Sequence, residues 1–280
     1  MTATIAKTTS QIRLERRTPA YWRVTIDNAP LNVMGPQMVK EFQGVMHALE
    51  TDEDVRVVVF ESAVDGFFLN HSDFTGKLED MTSLPPGPTG LPPWPDFLVR
   101  LTHLPAASIA LIRGRATGNG SELTLSCDMS FASREKTVIS QWEVGVGMVA
   151  GGGPMARLPN LIGRNRALEV LLSSDDIRAD QAEAYGYINR ALPDAELDAF
   201  VDTLAKRIAG FDKWAIGNTK RLVNTSLSPE VELGAGWDAC INSLGRTAAQ
   251  DGIKALTALG FQKPGDVENR LGYYLGKIAS

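Results

Sequence analysis

The stretch that leaves a buried strand and ends on a carboxylate constrains this chain most. Ser108 to Ile112 reads as an interior strand, and Gly114-Arg115-Ala116-Thr117-Gly118-Asn119-Gly120-Ser121-Glu122 follows it. The glycines of this turn permit close backbone approach. The helix that begins at Gly118–Gly120 leaves its first N–H groups without intrahelical partners, aimed where a ligand oxygen would sit. A second acid, Glu143, stands 21 residues beyond Glu122 in Ser140-Gln141-Trp142-Glu143, and Gly151-Gly152-Gly153 comes after it. Donor-bearing turns and two acids suit an enzyme that stabilises an enolate and moves protons beside it.

Each feature also has a plain structural explanation. An acid in a first helical turn is favoured by the helix dipole by about 0.3–1 kcal/mol, which alone would account for Glu122. A lone acid after a strand, as Glu143 is, commonly marks a solvated edge. Trp142 beside it supplies an apolar wall that would raise a carboxyl pKa, and two acids in unlike surroundings can divide acid and base roles. Of three histidines, His47 and His103 fall in helical stretches. His71, in Phe67-Phe68-Leu69-Asn70-His71-Ser72-Asp73-Phe74, sits at a strand exit and is the candidate for chemistry.

Other site types are excluded by spacing. Gly118-Asn119-Gly120 does not have the spacing of a dinucleotide fingerprint. The triple glycine lacks the Gly-Lys-Ser/Thr of a phosphate loop, and Pro154 after it suits a first helical position. There is no Gly-x-Ser-x-Gly elbow, no His-Glu-x-x-His and no Cys-x-x-Cys, so neither a hydrolase triad nor a metal is expected. Cys127 and Cys240 form no disulfide framework and fit a reducing, cytoplasmic compartment. A net charge of −5 argues against a nucleic-acid or anionic-membrane partner, and no apolar run is long enough to span a bilayer. The Thr-rich start, Met1 to Lys7, has no secretory apolar core.

The periodicities predict an α/β fold. Residues 11–17 and 21–27 read as a hairpin about Pro19, and Gly35-Pro36 opens a helix with Met38, Phe42, Val45, Met46 and Leu49 on one face. Val55–Phe60, Ser108–Ile112, Met129–Ala132, Thr137–Ile139 and Tyr187–Ala191 read as strands. Helices are expected near 153–158, 164–172, 180–185, 194–209 (N-cap Asp194), 213–224, 229–247 and 250–259. Residues 75–96, with six prolines and three glycines, read as a long irregular loop that forms part of a binding pocket. The division expected is a core over 1–205 and a helical region over 206–280, whose apolar Leu222, Val223, Leu227, Val231 and Leu233 predict self-association.

At these residues the chain resembles the crotonase superfamily, the enoyl-CoA hydratase/isomerase family, over residues 12–225. Asn28-Ala29-Pro30-Leu31-Asn32 resembles the family's early loop, and Phe68 to Asp73 its Phe-x-Ala-Gly-x-Asp block. Gly114 to Glu122 matches Gly-x-Ala-x-Gly-Gly-Gly-x-Glu, and Cys127-Asp128 follows as in the family. Glu143, Gly147, Gly151 to Gly153, Arg157-Leu158, Gly163-Arg164, Ala182-Glu183-Ala184 and Gly186 continue the order.

The resemblance implies a crotonase-like spiral of ββα turns with a C-terminal helical oligomerisation region, forming homotrimers or dimers of trimers. It implies an oxyanion hole from the N–H groups of Ser72 and Asn119, catalytic acids Glu122 and Glu143, and a substrate site that includes His71, Phe74, Gly118 and Trp142. The activity implied is addition of water to a 2-enoyl thioester, or the reverse. No cofactor is implied beyond coenzyme A carried by the substrate. Two departures stand out: Asn70-His71 where the family has Ala-Gly, and Asn119 for the middle glycine. They leave open a hydrolase that cleaves a carbon–carbon bond of a diketone, or an isomerase, on a carbonyl substrate without CoA, using His71 with an acid. A scaffold that has lost its chemistry, with His71 filling the oxyanion space, is the third expectation.

Overall fold

The computed structural model describes residues 10–226 and 229–278. The expected hairpin is present as β1 (Ile12–Thr18) and β2 (Tyr21–Ile26), paired antiparallel. Helix α1 (Pro36–Thr51) starts at its proline and buries the expected face from Met38 to Leu49. Then come β3 (Val57–Ser62), β4 (Phe67–Leu69), α2 (Leu78–Thr82) and α3 (Pro93–His103). The glycine-rich region follows as β5 (Ala107–Ile112), β6 (Arg115–Thr117) and α4 (Asn119–Ser126). Next are β7 (Met129–Ser133), β8 (Val138–Ser140) and a 3-10 turn over Glu143–Val146. Helices α5 (Pro154–Ile162) and α6 (Arg164–Ser173) lead to β9 (Ile177–Arg178), α7 (Ala179–Tyr185) and β10 (Arg190–Leu192). The remainder is helical: α8 (Asp194–Ala209), α9 (Lys213–Val223), α10 (Pro229–Leu244), α11 (Thr247–Leu259), α12 (Asp266–Asn269) and α13 (Leu271–Ile278).

The strands form two sheets, ordered β1-β2-β3-β5-β7-β10 and β4-β6-β8-β9. Each turn of the spiral gives one strand to each sheet: β3 then β4, β5 then β6, β7 then β8. Successive turns pair in parallel in both. The apolar run at β3 is continuous because both its faces are covered. Val58 and Phe60 enter the main core, while Val57 and Val59 pack with Leu197, Val201 and Ala205 of α8. Fully burying side chains of this size contributes roughly 1.5–3 kcal/mol each. A third cluster joins Trp142, Val146 and Met148 of the spiral to Leu256, Phe261, Leu271 and Leu275 of the C-terminal helices.

Several expectations need correction. The segment 75–96 is not wholly irregular: it holds α2 and the start of α3, where prolines occupy the first helical positions that tolerate a missing N–H. Residues 115–117 are a strand between two turns, not part of one turn. The second sheet has strands of two or three residues, too short to show an alternation. The last strand is displaced to Arg190–Leu192, and Pro193 rather than Asp194 precedes α8 at its N-cap. Leu222 and Val223 are exposed, whereas Leu233 belongs to the main core; Leu227, the side chain of Val231 and Met1 to Lys7 lie outside the described residues. Among the described residues no helix is long and apolar enough to cross a membrane, and no group of three His, Cys, Asp or Glu could hold a metal ion.

Candidate active site

Strand β4 delivers the segment Asn70–Phe74 to the mouth of the spiral. Met34 pairs with Ser72 in an isolated parallel bridge: Met34 N donates to His71 O at 2.9 Å, and Asp73 N donates to Met34 O at 2.9 Å. A trans peptide points its C=O and N–H in opposite directions. The Ser72 N–H therefore faces away from Met34, and Ser72 lines a cavity.

The second turn meets the first there. Gly120 lets α4 rest on β4, since a Cβ at this position would fall 1.9 Å from Leu69 O. Asn119 is the first residue of α4, and its N–H has no acceptor within the helix. Ser72 Oγ donates to Asn119 Oδ1 at 2.8 Å, and Asn119 Nδ2 donates to Glu122 Oε2 at 3.1 Å. The Asn119 amide thus ties Ser72, after β4, to Glu122 on α4. It does so without a positive φ, which among the described non-glycine residues occurs at Asn32, Ser174 and Gln262.

Glu122 and Glu143 are both buried and line one cavity of about 260 Å³. Their surroundings differ. Glu122 accepts from Trp94 Nε1 at 2.7 Å, from Gly152 N at 2.6 Å and from Asn119 Nδ2. Burial raises its carboxyl above the usual range, and these three donors oppose the rise. Glu143 is opposed only by a bond within its own residue. Burial first, and the neighbouring Glu122 second, push it up to about 8. Both carboxyls therefore lie above the ordinary range, and the two titrate as a coupled pair.

Of the other residues singled out from the sequence, Phe74 and Trp142 line the cavity. Gly118 does not line it; a Cβ there would fall 2.9 Å from Trp142 Nε1, so the glycine lies behind that ring. His71 does not line it either. It is 1% exposed, its ring centroid is 4.4 Å from that of Phe261, and its Nε2 lies 3.2 Å from Glu268 Oε2. The strand exit turns it toward an acceptor inside the protein, the Glu268 carboxylate.

Three contributions escaped the sequence reading. Trp94 lies in the proline-rich segment that reads as a loop, although Trp94, Phe97, Leu98 and Leu101 recur at helical spacing. The Gly152 N–H carries no sequence signal beyond its glycine, which is required because a Cβ would fall 2.2 Å from Glu122 Cδ. The far wall comes from α10 and α11, through Trp237, Cys240, Ile241, Leu244, Gln250 and Ile253. Burial pushes the Cys240 thiol up to about 12, so it stays protonated and makes a poor nucleophile.

Comparisons with known proteins point to one family. Residues 18–259 match the family model described as enoyl-CoA hydratase/isomerase. The short-chain-enoyl-CoA hydratase of Clostridium acetobutylicum is 26% identical over 209 residues, 75% of this chain and 79% of that protein. The crotonyl-CoA hydratase of Syntrophomonas wolfei is 27% identical over 230 residues, covering 81% and 86%. The crystal structure of a Streptomyces avermitilis protein assigned as an enoyl-CoA hydratase superposes with a TM-score of 0.90 at 36% identity, covering 98% of this chain and 99% of that one.

Proposed function

Because the chain belongs to the enoyl-CoA hydratase/isomerase family, we propose that it adds water across the double bond of a 2-enoyl thioester of coenzyme A, and catalyses the reverse dehydration. The observation that carries this reading is the pair of buried acids on one cavity, beside the junction of Ser72 and Asn119. A hydratase needs a base for water and an acid for carbon, and the two carboxyls differ in the required sense.

In this scheme the thioester oxygen sits against the N–H groups of Ser72 and Asn119. Glu122, ionised and held by Trp94, Gly152 and Asn119, takes a proton from the water that attacks C3. Charge passes to the thioester oxygen as an enolate, where two preorganised donors typically contribute a few kcal/mol each. Glu143 gives its proton to C2. The product carries hydroxyl at C3 and hydrogen at C2, and a proton passing between the two acids through water resets them. Nothing is oxidised or reduced, so the scheme uses no cofactor besides the CoA of the substrate. The carbon–carbon hydrolase reading would need a histidine at the reacting centre, and among the described residues none lines this cavity.

The reading includes a homotrimer or dimer of trimers in the cytoplasm. The exposed apolar surface of Phe211, Trp214, Leu222 and Val223 supports association, which mass measurement in solution tests. For the chemistry, 2-enoyl-CoA thioesters of increasing chain length in H2-18O are the probe. The expected product is a 3-hydroxyacyl-CoA labelled at C3; no labelled product from any chain length overturns the reading.

A further inference from the structure

The segment that carries Ser72 is held from the far end of the chain. Glu268, 1% exposed, accepts from Asn70 Nδ2 at 2.8 Å and from Gln262 N at 2.6 Å. His71 Nε2 lies 3.2 and 3.3 Å from its two oxygens. Gln262 reaches the other side of Ser72: its Oε1 accepts from Phe74 N at 2.9 Å, and its Nε2 donates to Asp73 Oδ1 at 3.3 Å. Ser72 is thus bracketed, two residues before and two after, by bonds from the short segment 262–268.

His71 adds a third tie. Its Nδ1 is 2.9 Å from Ser72 O, an acceptor, while its Nε2 faces the Glu268 carboxyl. Burial alone would raise the Glu268 carboxyl, but hydrogen bonds from His71, Gln262 and Asn70, and the charge of the ring, hold it below its usual value. A buried ion pair is a poor source of stability and is best attested as a device that fixes register. Gln262 also sits at φ 59°, a conformation that non-glycine residues rarely adopt. Both Asn70 and His71 stand where the family pattern has Ala and Gly, which could make none of these side-chain bonds.

We propose that Glu268 and Gln262 are positioning residues for the oxyanion hole: the C-terminal segment clamps Asn70–Phe74 so that the Ser72 N–H stays aimed at the substrate carbonyl. This rests on the reading of Ser72 as an oxyanion donor. The clamp acts on the enolate more than on the bound substrate, because the charge it serves develops only as water adds. It also makes the hole dependent on the C-terminal helices being docked on the spiral.

The test uses the full-length protein, Glu268→Gln, Gln262→Ala and two readouts. Glu268→Gln keeps the shape and turns one acceptor into a donor. Gln262→Ala removes a half-buried side chain and leaves the buried pair intact. The first readout is kcat and KM with a 2-enoyl-CoA, per folded molecule as given by circular dichroism. The second is the near-ultraviolet absorbance of bound acetoacetyl-CoA, whose enolate a working hole stabilises. The expected result is a roughly 10-fold fall in kcat for each variant, with KM within about 3-fold and loss of the enolate band. An enolate band in the wild type that both variants keep, with kcat per folded molecule unchanged, overturns the clamp and leaves Ser72's role standing. No enolate band in the wild type overturns the reading of the hole, and the clamp with it.

Discussion

The wall of the cavity built by the spiral and the wall built by the C-terminal helices differ in kind. The spiral wall carries Ser72, Asn119, Glu122 and Glu143, placed by backbone turns, with Ser72, Asn119 and Glu122 tied by hydrogen bonds. The C-terminal wall carries Trp237, Ile241, Leu244 and Ile253, mostly apolar side chains that, in the proposed reading, shape the acyl space. Polar groups on the first wall act through orientation, so small displacements cost much. Groups on the second act through contact area, so their loss costs in proportion to area. An enzyme of this build concentrates rate on one wall and affinity on the other.

The largest expected effect tests that division directly. Glu122→Gln and Glu143→Gln should each lower kcat by about 10²–10⁴-fold with KM little changed, as removal of a positioned acid or base does. Full activity in either variant, measured by loss of the enoyl absorbance, would break the comparison at its strong side.

Next is a stability effect of opposite sign. Glu143 is pushed up to about 8 in the folded protein and returns to the ordinary carboxyl range on unfolding. Folded chains thus keep a proton that unfolded chains release as pH rises from about 4.5 to 8. Stability falls across that window, by on the order of 5 kcal/mol from this group. Glu143→Gln removes the loss, so its melting temperature should exceed that of the wild type at pH 8 and approach it at pH 5. A variant that melts lower at both pH values would show that the acid is not strained.

Two glycines sharpen the contrast between the walls. A Cβ at Gly152 would strike Glu122, whereas a Cβ at Gly151 would meet Cys240 and Trp237 of α10. Gly152→Ala should reduce kcat by roughly 10–100-fold through displacement of the acid. Gly151→Ala should act mainly on KM. Smallest of all, Ile241→Ala and Ile253→Ala should raise KM by about 5–30-fold, the worth of roughly 1–2 kcal/mol of lost apolar contact, with kcat within about 3-fold. Steady-state kinetics separate the two classes, and a kcat collapse in the isoleucine variants would contradict the division.

The same contrast explains what the sequence discloses. Gly120 is legible because α4 must rest on Leu69 O, and glycine alone allows it. The continuous runs of β3 and β5 are legible because both faces are buried. The strands of the smaller sheet are not, since two or three residues carry no periodicity. Trp94 was hidden by the prolines around it, which suggest a loop until they are seen to occupy the first turn of α3. The partnership of His71 with Glu268 joins positions 197 residues apart and leaves no local pattern. A histidine at a strand exit therefore reads as a pocket residue, although it turns inward. The far wall is unreadable for a related reason: apolar positions on α10 and α11 show that a face is buried, without showing that it closes a cavity.

The central claim is that two acids of unlike environment share one proton beside a single carbonyl site. The pH dependence of hydration at saturating substrate, from pH 6 to 10, tests it most directly. With Glu143 as the acid, the rate should hold near neutrality and fall about tenfold per pH unit above about 8, as the pair loses its last proton. A rate that stays flat to pH 10 would contradict the account.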